Sequence, residues 1–236
     1  MGRAFECRRR AKESRWAEMS KVFPKLAKSI TLAAKNGGPD PETNAPLRIA
    51  IANAKAKNMS RDNIDAAVKR AEGKDASEIT EITYEGKGPH GSQFMIECAT
   101  DNTNRSVTNI KTILSKNEAQ ILNSGALDFM FSRKAVIEFR QPEDKNMEEV
   151  ELELIDHGLE ELSIDDNFVT VIGDYTAFAQ LSQAVEDLGI SAAKSSLQRV
   201  PNQPVELTDS QIEAVEVIVD KLEDDDDVQA VYTNLA

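Results

Sequence analysis

The chain has 236 residues, of which 40% are hydrophobic and 5% aromatic, and a formal net charge of −13. That length allows two or three domains with real cores, and no apolar run approaches the ~20 residues of a membrane-spanning helix. A charged N-terminus without an apolar stretch argues against a secretory signal, and two cysteines, Cys7 and Cys98, are too few for a disulfide framework and lack metal-ligand spacing. A cytoplasmic protein without metal or cofactor is expected.

The net charge hides an asymmetry. Residues 1–75 hold 17 Lys and Arg against 9 Asp and Glu, a balance of +8, so the remainder carries −21. A polyanion partner therefore suits the first third and not the rest.

Residues 1–19 carry dense charge without a clear period and are expected to form a mobile arm or a loosely held helix. From Lys21 to about Asn36 the period is helical, at about 100° per residue. Phe23, Leu26, Ala27, Ile30, Ala33 and Ala34 gather on one side, and Lys21, Lys25, Lys28 and Lys35 on the other. Pro24 is expected in the first turn, where a missing N–H costs little, and Gly37-Gly38 stop the helix. A second helix is predicted over Thr43–Lys57. Ser60 caps a third with the core stripe Ile64, Ala67, Val68 and Ala71.

After Gly73 the pattern changes. Strands are predicted at Ile79–Tyr84 and Phe94–Ala99, a helix at Arg105–Lys116, and strands at Leu127–Phe131 and Ala135–Arg140. A helix over Met147–His157 precedes a hairpin, Glu160–Ser163 and Val169–Ile172, turning at Asp165-Asp166-Asn167. A helix at Ala177–Leu188 and a strand at Ala193–Val200 follow. Thr208 caps a helix reaching Leu222, and Val228–Tyr232 is the last strand.

The order from Ala135 to Val200 is β-α-β-β-α-β, a ferredoxin-like plait. Removing it leaves β-β-α-β followed by α-β, a second plait-like unit with the first inserted. The fold class is thus α+β multidomain: a small helical domain (1–75), a discontinuous domain (77–133 plus 203–236) and an inserted ferredoxin-like domain (134–202).

Catalytic motifs are not evident. Gly86, Gly88 and Gly91 spell G-x-G-x-x-G, but Pro89 sits inside it and a strand follows where a helix N-terminus would have to receive a pyrophosphate. A hairpin loop is the expected reading. His90 and His157 have no companions at ligand spacing. Glu223 to Asp227 is a run of five acids at a helix C-terminus, expected to fray that end as a solvated cap. Thr100-Asp101-Asn102-Thr103-Asn104-Arg105 enters a helix; Asp101 or Asn104 can cap it, or the turn with Arg105 could hold a phosphate. No enzymatic activity and no small-molecule substrate are expected.

The candidate nucleic-acid contacts are Arg8, Arg9, Arg10, Lys12, Arg15, Lys21, Lys25, Lys28 and Lys35, with Lys69 and Arg70 beyond. Trp16 can stack on an unpaired base or anchor the head in a core. The lysine face has no Asn or Gln for base edges, so it suits phosphate contact without strong sequence choice.

Residues 32–73, LAAKNGGPDPETNAPLRIAIANAKAKNMSRDNIDAAVKRAEG, closely resemble the N-terminal domain of the YebC/PmpR family. Tyr84-Glu85-Gly86-Lys87-Gly88-Pro89 and Thr100 to Arg105 resemble two further signatures of that family, and the similarity covers essentially the whole chain. The resemblance implies a helical domain with two α+β domains, and a cytoplasmic, DNA-binding, probable transcriptional regulatory protein. Relatives tied to translation and the ribosome imply the alternative of a translation factor on rRNA or mRNA. Family members usually begin Gly-His-Ser-Lys-Trp, where this chain has Gly2-Arg3-Ala4-Phe5-Glu6, so the roles given to its first fifteen residues rest on charge alone.

Overall fold

The structure, a computed structural model, describes residues 15–73 and 79–235, with side chains from Lys21 onward. In chain order come α1 (Arg15–Gly37), α2 (Ala45–Ala56), α3 (Arg61–Arg70), β1 (Thr80–Lys87), β2 (Gln93–Thr100), α4 (Thr103–Ser115), β3 (Gln120–Ile121) and β4 (Phe131–Arg140). Then follow α5 (Met147–Ile155), β5 (Leu159–Asp165), β6 (Phe168–Asp174), α6 (Phe178–Asp187), β7 (Ala192–Pro201), α7 (Asp209–Glu223) and β8 (Val228–Thr233). It is a mixed α+β fold, with a helical region followed by two four-stranded sheets.

α1 begins earlier than its apolar period predicts, so Pro24 lies inside the helix and not in its first turn. There its ring denies the carbonyl of residue 20 an N–H partner. Gly38, at φ +91°, closes the helix by donating to the Ala34 carbonyl at 2.8 Å. Asn44 then joins two helices. It is buried; its Nδ2 donates to the carbonyls of Ala33 and Gly38, both at 2.8 Å, and its Oδ1 accepts from the Leu47 N–H at 3.1 Å. A Cβ on Gly37 would lie 2.6 Å from that amide nitrogen, so only glycine fits beside it. Ser60 caps α3 as predicted, and the Thr31 hydroxyl donates to the Ala67 carbonyl at 2.9 Å, tying α1 to α3.

The chain divides into two compact units. The first takes the residues up to Lys25 together with 77–132 and 199–236; the second takes 26–76 and 133–198.

In the first unit the strand order is β3-β1-β2-β8, with antiparallel pairing throughout. Phe94 and Ile96 of β2 pack with Ile110 and Leu114 of α4 and with Val215, Ile218 and Leu222 of α7. The other face holds Met95, Leu127, Phe131 and Tyr232. The strand expected at Leu127–Phe131 does not form. The amides of Gly125 and Leu127 donate to the Glu85 carboxylate, at 2.5 and 2.6 Å, in place of a ladder. A 3-10 turn, Asp128–Met130, leads directly into β4.

In the second unit the order β5-β6-β4-β7 is that of a ferredoxin-like plait. Ile137 and Phe139 of β4 and Val169 and Val171 of β6 pack under Val150 and Leu154 of α5 and Leu181 and Val185 of α6. The β5–β6 hairpin turns on Asp166 and Asn167, both at positive φ (44° and 65°), the geometry of a type I′ turn. Asn53 of α2 pairs with an edge strand of this sheet: its Nδ2 donates to the Ser195 carbonyl at 2.5 Å, and the Ser195 N–H donates back to its Oδ1 at 2.8 Å. One side chain thus completes the hydrogen bonding of a residue of β7 as a neighbouring strand would. Among the described residues no helix is long and apolar enough to cross a membrane.

Candidate nucleic-acid interface

The lysine stripe of α1 divides between different surroundings. In the first unit the Lys21 ammonium lies 2.5 Å from Asp224 Oδ1, and Lys25 donates to the Glu223 carbonyl at 2.7 Å. Both reach the C-terminal end of α7, where the last carbonyls gather partial negative charge, so the lysines act as its counter-charge. The Lys21–Asp224 pair is exposed, at 54% and 60% of the two side chains. Such a pair contributes about 0–1 kcal/mol, little enough for a phosphate to replace the aspartate.

The acidic run is not the solvated cap that the sequence predicts. Asp225 accepts from the Asn109 side-chain amide at 2.9 Å and from the backbone N–H of Asp227 at 2.9 Å. Asp227 is buried and receives Arg105 through Nε and a terminal nitrogen, at 3.1 and 2.9 Å, together with the Ser106 hydroxyl at 2.8 Å. The same guanidinium reaches Asp101 at 2.8 Å. These carboxylates, Asp227 first, hold the Arg105 pKa above the ordinary arginine value. An Arg105 so engaged fastens α4 to the β8 end of the sheet, and a role as a phosphate holder does not follow. Capping of α4 also falls to a different residue: Asn102, not Asp101 or Asn104, accepts from the Arg105 N–H at 3.0 Å.

In the second unit Lys28 is half-buried and Lys35 exposed; they lie one turn on either side of Thr31, the residue that meets α3. Lys69 and Arg70 occupy the last turn of α3 and are exposed. The fold therefore sets these four bases on neighbouring helices. Arg61, at the start of α3 and with 92% of its side chain exposed, is a base that the sequence reading passes over; its pair with Asp65 is loose at 3.6 Å. Its signal is position: a basic residue at a helix start opposes the dipole, so the helix itself does not favour it there. Arg8, Arg9, Arg10 and Lys12 lie outside the described residues, and for Arg15 and Trp16 only their helical backbone is described.

The glycine-rich turn is a hairpin, as its context predicts. Pro89–Gly91 form a 3-10 turn between β1 and β2, with His90 at φ 58° and Gly91 at φ +80°. A Cβ on Gly88 would lie 2.5 Å from the Ser92 hydroxyl and 2.6 Å from the Phe94 ring, so packing dictates that glycine. Beside this sheet, Tyr84 donates to the Thr103 carbonyl at 3.2 Å. Burial, with Cys98 and Asp227 nearby, raises its pKa. Among the described residues no group of three His, Cys, Asp or Glu is arranged to hold a metal ion.

Residues 3–74 match the domain described as the TACO1/YebC protein N-terminal domain, and residues 79–235 match the TACO1/YebC second and third domain. The chain belongs to the TACO1/YebC family. It is 57% identical to a probable transcriptional regulatory protein of Campylobacter curvus and 58% identical to one of Wolinella succinogenes, each match covering 100% of both chains. A relative of the same description from Sulfurimonas denitrificans is 53% identical over the same full coverage. A conserved hypothetical protein of Aquifex aeolicus, known from its crystal structure, is 29% identical with a TM-score of 0.84, covering 94% of this chain and 92% of that one. Both later TACO1/YebC signatures singled out in the sequence thus serve structural ends here: Glu85 and Gly88 build a turn, and Arg105 seals a helix to a strand.

Proposed function

We propose that this TACO1/YebC chain is a non-enzymatic regulator of gene expression, a DNA-binding transcriptional regulator that grips the phosphate backbone through its basic helical domain, residues 1–75. The full-length similarity to proteins named probable transcriptional regulatory proteins supports the role. The observation that carries the contact is the placement of Lys28, Lys35, Lys69 and Arg70 on adjoining helices, in a segment whose balance is +8. Lys21 and Lys25 join when a phosphate displaces Asp224 and the Glu223 carbonyl. Arg8, Arg9, Arg10, Lys12 and Arg15 extend the grip, and Trp16 stacks on a base. The reading places the protein in the cytoplasm and keeps the three-domain division at 1–75, 77–133 with 203–236, and 134–202.

A surface of lysines binds without strong sequence choice, so salt is the informative variable. With about five phosphates engaged, log K falls against log salt with a slope near −4 to −5. Asp224→Asn frees Lys21 and raises affinity about two- to fivefold at low salt. An affinity indifferent to salt refutes the reading. Crosslinking in cells followed by sequencing of the bound nucleic acid identifies the target: recovery of rRNA in place of DNA makes the protein a translation factor that uses the same grip.

A further inference from the structure

The chain's acidity gathers in two stretches: residues 206–227, with ten carboxylates against the single base Lys221, and residues 143–166. Residues 143–166 hold eleven carboxylates against the single base Lys145, a net of −10 in a chain of −13. They build α5, edge strand β5 and the hairpin tip of the plait in the second unit. The same stretch bears three large apolar side chains that the fold leaves outside: Leu152 at 67%, Ile155 at 52% and Ile164 at 43% exposure.

Their placement follows from the packing. α5 buries Val150 and Leu154 on the sheet, which turns Leu152 and Ile155, three residues apart, to the outer half of the helix. Ile164 stands opposite Val169 in the β5–β6 ladder, and Val169 is fully buried in the plait core. Ile164 therefore lies on the helix-covered face of the sheet, at the free margin where β5 runs beside α5. Glu148, Glu149, Glu151 and Glu153 are interleaved with the outward pair, and all four are exposed. Of the carboxylates on β5, Glu160 is paired with Lys134.

Neither a solvated helix nor a core helix has this composition. A solvated helix gains nothing from two exposed large apolar groups in its outer half, and an acidic surface alone needs none. The charge decides what covers them. A field of this sign repels nucleic acid and anionic lipid, and pairing this face with itself would set −10 against −10. We propose that α5 and β5 form a docking face for a basic segment of another protein, a Lys/Arg-rich stretch whose large apolar side chains seat on Leu152, Ile155 and Ile164. Opposite charge steers the encounter, and the apolar anchors hold the complex. Docking at this face does not depend on the phosphate grip.

The test uses the full chain with labelled Ile and Leu methyl groups, titrated with a synthetic amphipathic helical peptide of lysine and leucine. The expected result is shifts at Leu152, Ile155 and Ile164, an affinity that falls with salt, and a loss of about tenfold or more in Leu152→Ser/Ile155→Ser. Both replaced side chains are more than half exposed, so the double variant keeps its melting temperature. The same peptide with serine for leucine should bind the native chain as weakly as the parent peptide binds the variant. Shifts centred on Leu222, beside the acidic run Asp224–Asp227, or an affinity unchanged in the double variant, overturn the proposal. Movement of the three methyls with protein concentration alone makes a second copy of the chain the occupant, and displacement of the peptide from this face by an RNA oligonucleotide makes it a nucleic acid; either outcome also overturns it.

Discussion

Glu85→Gln is the sharpest probe of how the first sheet is finished. The Glu85 carboxylate is 3% exposed and receives the backbone amides of Gly125 and Leu127, 40 and 42 residues further on, at 2.5 and 2.6 Å. A hydrogen bond to a charged acceptor contributes about 1.5–3 kcal/mol, and a buried donor left without an acceptor costs about 1–3 kcal/mol. Glutamine keeps one oxygen and turns an amide against the other N–H, so about 2–3 kcal/mol of local stability is lost. Because the effect is confined to the segment that Glu85 holds, the measurement is hydrogen exchange of the amides of Gly125 and Leu127. Their exchange should accelerate by roughly 30- to 150-fold, while that of Ile137, in the core of the other unit, stays unchanged. Unchanged protection at Gly125 and Leu127 refutes the pin. Equal acceleration at Ile137 refutes its local character.

Further outcomes follow from single contacts. Asn53→Leu strips Ser195 of both its partners on the edge of the plait and should lower stability by about 2–4 kcal/mol, read by urea unfolding of the second unit. Asp174 is held below its ordinary pKa by the Thr176 hydroxyl and then by the Thr176 N–H. A depressed carboxylate stabilises the fold above its unfolded pKa and loses that contribution as pH falls through the folded one. Thr176→Val should therefore lower the melting temperature near neutrality, with the gap to the native chain closing in acid below the usual aspartate range. A gap that is constant with pH contradicts the assignment.

The regular elements were legible because their signals are local. Ser60 as a cap, the Asp166-Asn167 turn and the inward stripe of α3 each depend on residues a few positions apart. The plait was legible because its element order leaves few packings. What the residues could not show was partnership at long range. Lys21 and Lys25 read as a face turned to solvent because their partners lie about 200 positions away, and the acidic run read as a loose cap for the same reason. The missing strand at Leu127–Phe131 has a similar cause: its composition suits a strand, but the distant Glu85 takes the Leu127 amide at its start, and Asp128–Met130 turn as a 3-10 helix. Pro24 was misplaced because the helix continues upstream through residues whose charge shows no period.

The insertion of one sheet between the parts of another sets a timetable on the ribosome. β2 emerges with an open edge whose partner, β8, is encoded more than a hundred codons later. At about 5–20 residues per second that edge waits roughly 7–27 s, while β4 through β7 are made and can close their own core. Throughout that interval Arg105 also lacks Asp227. A nascent chain of this design spends that interval with a half-built sheet and an open edge, and a ribosomal pause anywhere between β2 and β8, the inserted sheet included, prolongs the exposure by its own length.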